Sequence, residues 1–456
     1  MKCRQFVTSE TSGKLLSEKN VLSCEKYSDN IPTTSENGYH PDDIEGGQIR
    51  IYPEMKYQKW VGFGGAFTDS ASRAWLAMDE KNRDKLINAY FSLDGLKYNY
   101  GRMHIGSCDF TAEAYSYIDK ADDGLSGFSI ERENFTVYAM LSAAKKVAGE
   151  ITLLASPWSP PPFMKDNGDY RGGKLKREYY AVWAKYIAHY IKAYAEKGIK
   201  ISAVTVQNEL RHAQVWESCV YTKEEELLFA GEYLAKELKP FGVKIYVYDH
   251  CKERVFERAL YAFENCVDVD GIACHWYSGD YFDEIAMTRR KFPDKDIVLS
   301  EACVAIPKTG VDKKTQWEGA WAYSHDIIGD ITAGANAFCD WNLTLDENRG
   351  PSHFRDNRPC LADVPIVCDK TRREVILQPA YYVIGQFSKF IKKDAYIIGS
   401  SKPWKDVEII AAQNPDEEIV VVARNCGEER KALIHLGNMI FRTKLEENSL
   451  TTFIIK

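Results

Sequence analysis

The chain is predicted to be α/β: a (β/α)8 TIM barrel with a small β domain attached. Two observations carry this. Eight short apolar runs alternate with longer amphipathic stretches between residues 60 and 345, and a series of short strands without helical spacing follows residue 396. The runs are Trp60–Phe67, Tyr98–Ile105, Ile151–Ser156, Ile201–Gln207, Val243–Tyr248, Gly271–Trp276, Ile297–Ser300 and Ala335–Trp341. Each is too short for an independent helix and rich in β-branched or aromatic residues, as buried parallel strands are. Eight strand-helix repeats suggest a barrel. A doubly wound open sheet is the alternative, but no G-x-G-x-x-G follows the first run.

The intervening stretches carry helix signals. "DEKNRDKLINAYFS" begins near Asp79. "KREYYAVWAKYIAHYIKAYAEKG" runs from Lys176 to Gly198, a glycine placed to end a helix. Thr222 with Glu225 three residues later forms a capping-box pattern. Beyond "YYVIGQFSKFI", the segments "YIIGS", "VEIIAAQ", "EIVVVARN", "KALIHLG", "MIFRTKL" and "LTTFIIK" read as strands. The strand-like pieces "RQFVTS" and "IRIYPE" near the N-terminus are expected to join them. The expected organisation is 1–55 and 392–456 in the β domain and 56–391 in the barrel.

Bulk properties narrow the partners. The 456 residues are 45% hydrophobic and 27% charged, a globular composition. A net charge of −7 argues against nucleic acid, which favours a basic face. No apolar run reaches the roughly 18 residues of a membrane span. The first twenty residues lack a secretory apolar core. A cytoplasmic location is therefore expected, or secretion if a leader has been trimmed. Twelve scattered cysteines form no C-x-x-C pair, and reduced thiols are expected.

Catalytic groups of a barrel come from the C-terminal ends of its strands. Those ends supply Asp69; Arg102, His104 and Asp109; Trp158; Gln207, Asn208 and Glu209; Asp249 and His250; His275, Trp276 and Tyr277; Glu301; and Asp340, Trp341 and Asn342. Glu209 and Glu301 stand out because strand propensity does not favour glutamate there. Two facing carboxyls are the equipment for cleaving a glycosidic bond, one protonated to donate and one ionised to attack. Trp158, Trp276, Tyr277 and Trp341 offer flat faces for a pyranose. Ordinary salt-bridged glutamates and core-packing aromatics are the plain alternatives. His104, His250 and His275 show neither H-x-x-x-H nor H-E-x-x-H pairing, so no metal and no cofactor are expected.

In order along the chain, "GFGGAFTDSAS", "IGSCDF", "ASPWSPPPFMK", "TVQNE", "ACHWYSGD", "LSEACV", "CDWNLTLD" and "PAYYVIGQFSKFI" resemble the successive motifs of glycoside hydrolase family 30, nearest its glucosylceramidase-like branch. The resemblance spans about Trp60 to Ile391. It implies a β-sandwich side domain and a retaining β-glycosidase acting on a carbohydrate. Glu209 matches the acid/base and Glu301 the nucleophile. Asn208 matches the residue that binds the sugar 2-hydroxyl. Asp109, Trp158, Trp341 and Asn342 match positions lining the subsite of the cleaved sugar. Arg102, His275 and Tyr277 match residues around the nucleophile.

Prolines 160–162 are then read as pinning Trp158, one wall of that subsite. Two departures stand out: Leu210 where the family usually has proline, so that "RHAQVWES" after it is expected to shape the leaving-group side in its own way, and Ser352 in a segment where it has "GGPN". β-Glucoside hydrolysis is the leading expectation. β-Xyloside or β-1,6-glucan hydrolysis and non-catalytic carbohydrate binding are the alternatives. A retaining enzyme should hold its carboxyls about 5–5.5 Å apart.

Overall fold

The computed structural model describes residues 1–26, 47–118, 124–310, 312–357 and 360–456. Two compact units interleave along the chain. One comprises Met1–Val61, Asp312–Thr332 and Pro379–Lys456; the other comprises Gly62–Val311 and Ala333–Gln378.

The second unit contains a closed parallel barrel of eight strands: β1 (Gly62–Phe67), β2 (Tyr100–Ile105), β3 (Thr152–Pro157), β4 (Ala203–Thr205), β5 (Lys244–Cys251), β6 (Gly271–His275), β7 (Asp296–Glu301) and β8 (Ala337–Asn342). Closure is made by β8 against β1, with Ala337 opposite Gly62. All of these strands but β5 lie within one of the predicted apolar runs or extend one by a single residue at an end; β5 runs on to Cys251, and β4 keeps only three residues of its run. Nearly every position is buried, which is why the runs are continuously apolar rather than alternating. Gly64 permits the closest approach: a Cβ there would lie 1.7 Å from the Tyr100 carbonyl oxygen.

Local signals set the helices. Asp79 caps Glu80–Phe91. Thr222 and Glu225 form a reciprocal capping box on Lys223–Phe229. Tyr180–Glu196 ends before Gly198, whose φ of +75° is the left-handed conformation typical of such stops. An extra helix, Asp69–Leu76, follows β1 directly and is capped by Thr68. After β8 the chain forms a small sheet of Thr344–Asp346, Ile366–Asp369 and Glu374–Leu377.

The first unit is built on one ten-stranded mixed sheet drawn from both termini. Cys3–Ser9 pairs antiparallel with Ser449–Ile455 along its whole length. Gln48–Lys59 joins the two halves, antiparallel to Tyr396–Ser400 and parallel to Arg430–Leu436. The sheet folds over to bury Ile49, Val421, Ile434, Phe441 and Phe453 in one apolar cluster, giving the β-sandwich. Strand Ile419–Asn425 is buried on both faces, in keeping with its unbroken "IVVVA". Among the described residues, no helix is long and apolar enough to cross a membrane.

Candidate active site

The backbone is irregular where the barrel strands end. Glu209, Tyr248 and Asp249 have φ of +49°, +77° and +42°, a region costly for residues with a Cβ. The pairing of β6 with β5 slips by one residue between Ala273 and Cys274, a bulge that re-aims the side chains beyond it. The Tyr248 amide donates to Glu226 Oε1 at 2.6 Å, and Glu226 is itself ion-paired with buried Arg258. The Glu209 amide donates to the Asp249 carbonyl at 2.9 Å.

Arg102 ties these strand ends together. Its guanidinium donates to Glu301 Oε2, to Asn208 Oδ1 at 2.8 Å and to Asp249 Oδ2 at 2.8 Å. Its Nε donates to Ser156 Oγ at 3.2 Å. One buried cation thus bridges residues of β3, β5 and β7 and Asn208 just beyond β4. Asp249 also accepts from Thr205 and Ser300 hydroxyls at 2.7 and 2.6 Å and contacts His275 Nε2 at 3.0 Å. Burial alone would raise the Asp249 carboxyl, but Arg102 and His275 hold it well below the usual range. Burial would lower His275, yet Glu301, Asp249 and Glu209 raise it to about 9, so the ring is cationic at neutral pH.

Glu209 and Glu301 line one cavity of about 470 Å³, within the roughly 300–1,000 Å³ range of small-molecule sites. Glu301 accepts from Arg102 and from Tyr277 Oη at 2.9 Å. Glu209 accepts from Gln214 Nε2 at 3.0 Å and lies 3.5 Å from His275 Nδ1. Burial raises both carboxyls. The hydrogen bond and charge of His275 nevertheless bring Glu209 below its ordinary value. Glu301 stays raised, through burial and the charges of Glu209 and Asp109 acting against His275 and Arg102. The Glu209 charge is one of those that raise Glu301, so a proton on Glu209 removes it.

Aromatic faces close the cavity. Trp158 and Trp341 stack with ring centroids 5.3 Å apart at 18°, and Arg102 lies 4.8 Å from the Trp158 centroid. The loop after Trp158 is anchored by buried Lys165, which donates to Ser159 Oγ, Tyr170 O and Ser218 O at 2.7–2.9 Å. Gln207 adds a bond of 2.7 Å to the Trp158 carbonyl. The wall is therefore pinned by hydrogen bonds as well as by prolines.

Of the residues singled out from the sequence, Asp109, Trp158, Asn208, Glu209, Tyr277, Glu301 and Trp341 line the cavity. Arg102 and His275 lie fully buried behind its wall and act on it through Glu301, Asn208 and Glu209. Asn342 also lies outside the lining: its Oδ1 accepts from the Thr68 hydroxyl at 2.6 Å, linking the ends of β8 and β1. Ser352 donates to the Asp109 carbonyl, and Leu210 is fully buried with its carbonyl accepting from Tyr221 at 3.0 Å.

Sequence reading named Asp249 only as a strand-end residue, weighed His250 only as a metal ligand, gave the loop holding His212, Gln214 and Trp216 a part in shaping the leaving-group side, and missed Glu253; all of these but Asp249 line the cavity. A charged residue closing an apolar run was the available signal for Asp249. Glu253 carries none. Among the described residues, no group of three or more His, Cys, Asp or Glu side chains is arranged to hold a metal ion.

Residues 60–391 match the glycosyl hydrolase family 30 TIM-barrel domain. The chain belongs to glycoside hydrolase family 30. It is thereby a glycoside hydrolase of the retaining β-type, with a carbohydrate substrate. It is 34% identical to putative glucosylceramidase 3 of Caenorhabditis elegans over 379 residues, 79% of this chain and 71% of the relative. It is 32% identical to the lysosomal acid glucosylceramidase of Mus musculus over 404 residues, 84% of this chain and 78% of the relative. The crystal structure of SrfJ from Salmonella typhimurium superposes with a TM-score of 0.92 at 32% identity, covering 100% of both chains.

Proposed function

We propose that this family member hydrolyses β-linked glucosides by double displacement, with Glu301 as nucleophile and Glu209 as acid/base. The observation that carries it is the pair itself: two carboxyls on one cavity, each held by its own donors. Glucose as the cleaved sugar is supported by the glucosylceramidases among its relatives.

In the first step Glu301 attacks the anomeric carbon, the glycosidic bond breaks, and Glu209 gives its proton to the departing oxygen. In the second, Glu209 takes a proton from water, whose oxygen displaces Glu301 with net retention. Asn208, held at its Oδ1 by Arg102, has its amide nitrogen left to meet the 2-hydroxyl, where a hydrogen bond strengthens at the oxocarbenium-like transition state. Arg102 and Tyr277 keep the Glu301 carboxylate hydrogen-bonded before attack and after release. A substrate that excludes water from Glu209 favours the proton there, and the coupling then favours ionised Glu301.

The test is hydrolysis of aryl β-glucoside, β-xyloside and β-fucoside beside β-1,6-glucan, with Glu301→Gln as the blank. Release from the glucoside with retained anomeric configuration by NMR is expected. Preference for the xyloside would move the cleaved sugar, and inversion would overturn the mechanism. Activity on glucan alone would favour the endo-acting reading, for which a 27% identical endo-1,6-β-D-glucanase of Neurospora crassa is the precedent.

A further inference from the structure

The glycosidic oxygen must lie beside the acid/base, so the groups surrounding Glu209 face the leaving group. They form a polar cluster from the loop after β4, the end of β5 and the turn that follows it. Gln214 donates to Glu209. His212 and His250 pack with ring centroids 5.0 Å apart. Arg211 pairs with Glu253 at 2.7 Å. His212, Gln214, His250 and Glu253 all line the cavity.

Two of these groups are unsatisfied. His250 is 2% exposed, and its Nδ1 has no hydrogen-bond partner among the described residues. Glu253 uses Oε1 on Arg211, while its buried Oε2 has no partner there. Burial lowers His250 to about 4, so its ring is neutral and offers one donor and one acceptor. Buried polar atoms of this kind are ordinarily paired, and an alkyl chain laid across them would leave them unpaired. A carboxyl on the wall also disfavours an anionic group. Ala305, Leu361 and Ala362 also line the cavity and supply apolar surface for the C–H face of a sugar ring.

We infer that the cluster of His212, Gln214, His250 and Glu253 is a leaving-group subsite for a second, hydroxyl-bearing sugar rather than for a lipid. This rests on the β-glucosidase reading and names the class of its leaving group. Both unpaired atoms are shielded from the cavity as the side chains stand, so the Glu253 carboxyl and the His250 ring rotate towards the sugar; one hydroxyl then donates to Glu253 and a second exchanges hydrogen bonds with His250.

The experiment measures kcat/KM of the full-length protein on β-linked glucose disaccharides, octyl β-glucoside and an aryl β-glucoside. The disaccharide with the preferred linkage is expected to exceed octyl glucoside at least about tenfold. Glu253→Ala should lower the disaccharide-to-aryl ratio about ten- to a hundredfold, and Glu253→Gln, which keeps an acceptor oxygen, should recover part of it. Thermal melts identify any variant that fails to fold, for which His212→Ala substitutes. Equal or better use of octyl glucoside, or an unmoved ratio, would overturn the subsite. Cleavage of the aryl xyloside but not the glucoside would remove only the glucose assignment, and the ratio would be taken with β-linked xylose disaccharides. Were every glycoside inert, calorimetry of disaccharide binding to the parent chain and to Glu253→Ala would decide the subsite alone, with equal affinities overturning it.

Discussion

In the β-sandwich, Ile49, Val421, Ile434, Phe441 and Phe453 fill the space between the two halves of the sheet, and burial among them pushes the Cys3 thiol up to about 12. At the barrel mouth, equally buried positions hold Arg102, Asp249, His275 and Glu301, with Glu209 beside them at 12% side-chain exposure. The sandwich residues contribute through area and volume, which another side chain of similar shape can supply. Each charged group at the mouth is tolerable only while its partners are present, because an unmatched buried charge costs far more than a matched pair returns. The sandwich is therefore tolerant residue by residue, and the mouth is tolerant only as a set.

The sharpest way to separate the two regions is Glu301→Gln. Turnover should fall by about a thousandfold or more while the fold is retained, measured by single-turnover kinetics beside a thermal melt. Near-normal turnover would take the nucleophile away from Glu301. Arg102→Met should fail differently, leaving Asp249 and Glu301 uncompensated. A loss of about 3–5 kcal/mol in a denaturant titration is expected together with loss of activity. A variant more stable than the parent would show that the mouth tolerates apolar replacement as the sandwich does.

Phe453→Ala provides the matching cut in the sandwich. It should cost about 3–5 kcal/mol by the same titration yet leave kcat/KM per folded molecule intact. A drop in kcat/KM would break the comparison. The pH dependence comes next. His275 is raised from 6.5 to about 9, so the folded state holds a proton that the unfolded chain releases. Its contribution is fully present below pH 6.5 and is lost as pH rises to about 9. The melting temperature should decline across that window, and His275→Gln should flatten the decline. The smallest effect is expected for Thr222→Ala, which removes a cap worth about 1 kcal/mol in the helix after β4.

Much of this was readable in advance where the information is local. Thr222, Asp79 and Gly198 act on neighbours within one turn, and they cap or stop helices as their types predict. Glu209 and Glu301 were conspicuous because a carboxyl at the end of an apolar strand has no local reason to be there. Asn342, assigned to the subsite only by its match to the family motif, lies outside the cavity lining and bonds Thr68 instead, at the slip in register between β8 and β1. Loop residues such as Gln214 and Glu253 obey no period, so their arrival at the cavity leaves no pattern to read.

By itself, then, the order of residues determined which segments are strands, where helices begin and end, and which carboxyls close their strands, since these depend on contacts between near neighbours. Tertiary structure decided the rest. It closed β8 on β1, paired Cys3–Ser9 with Ser449–Ile455, and set Arg102 among Ser156, Asn208, Asp249 and Glu301. Those partners lie far apart along the chain. A buried guanidinium is stable only when all of them converge on it, and that convergence exists only once the barrel has closed.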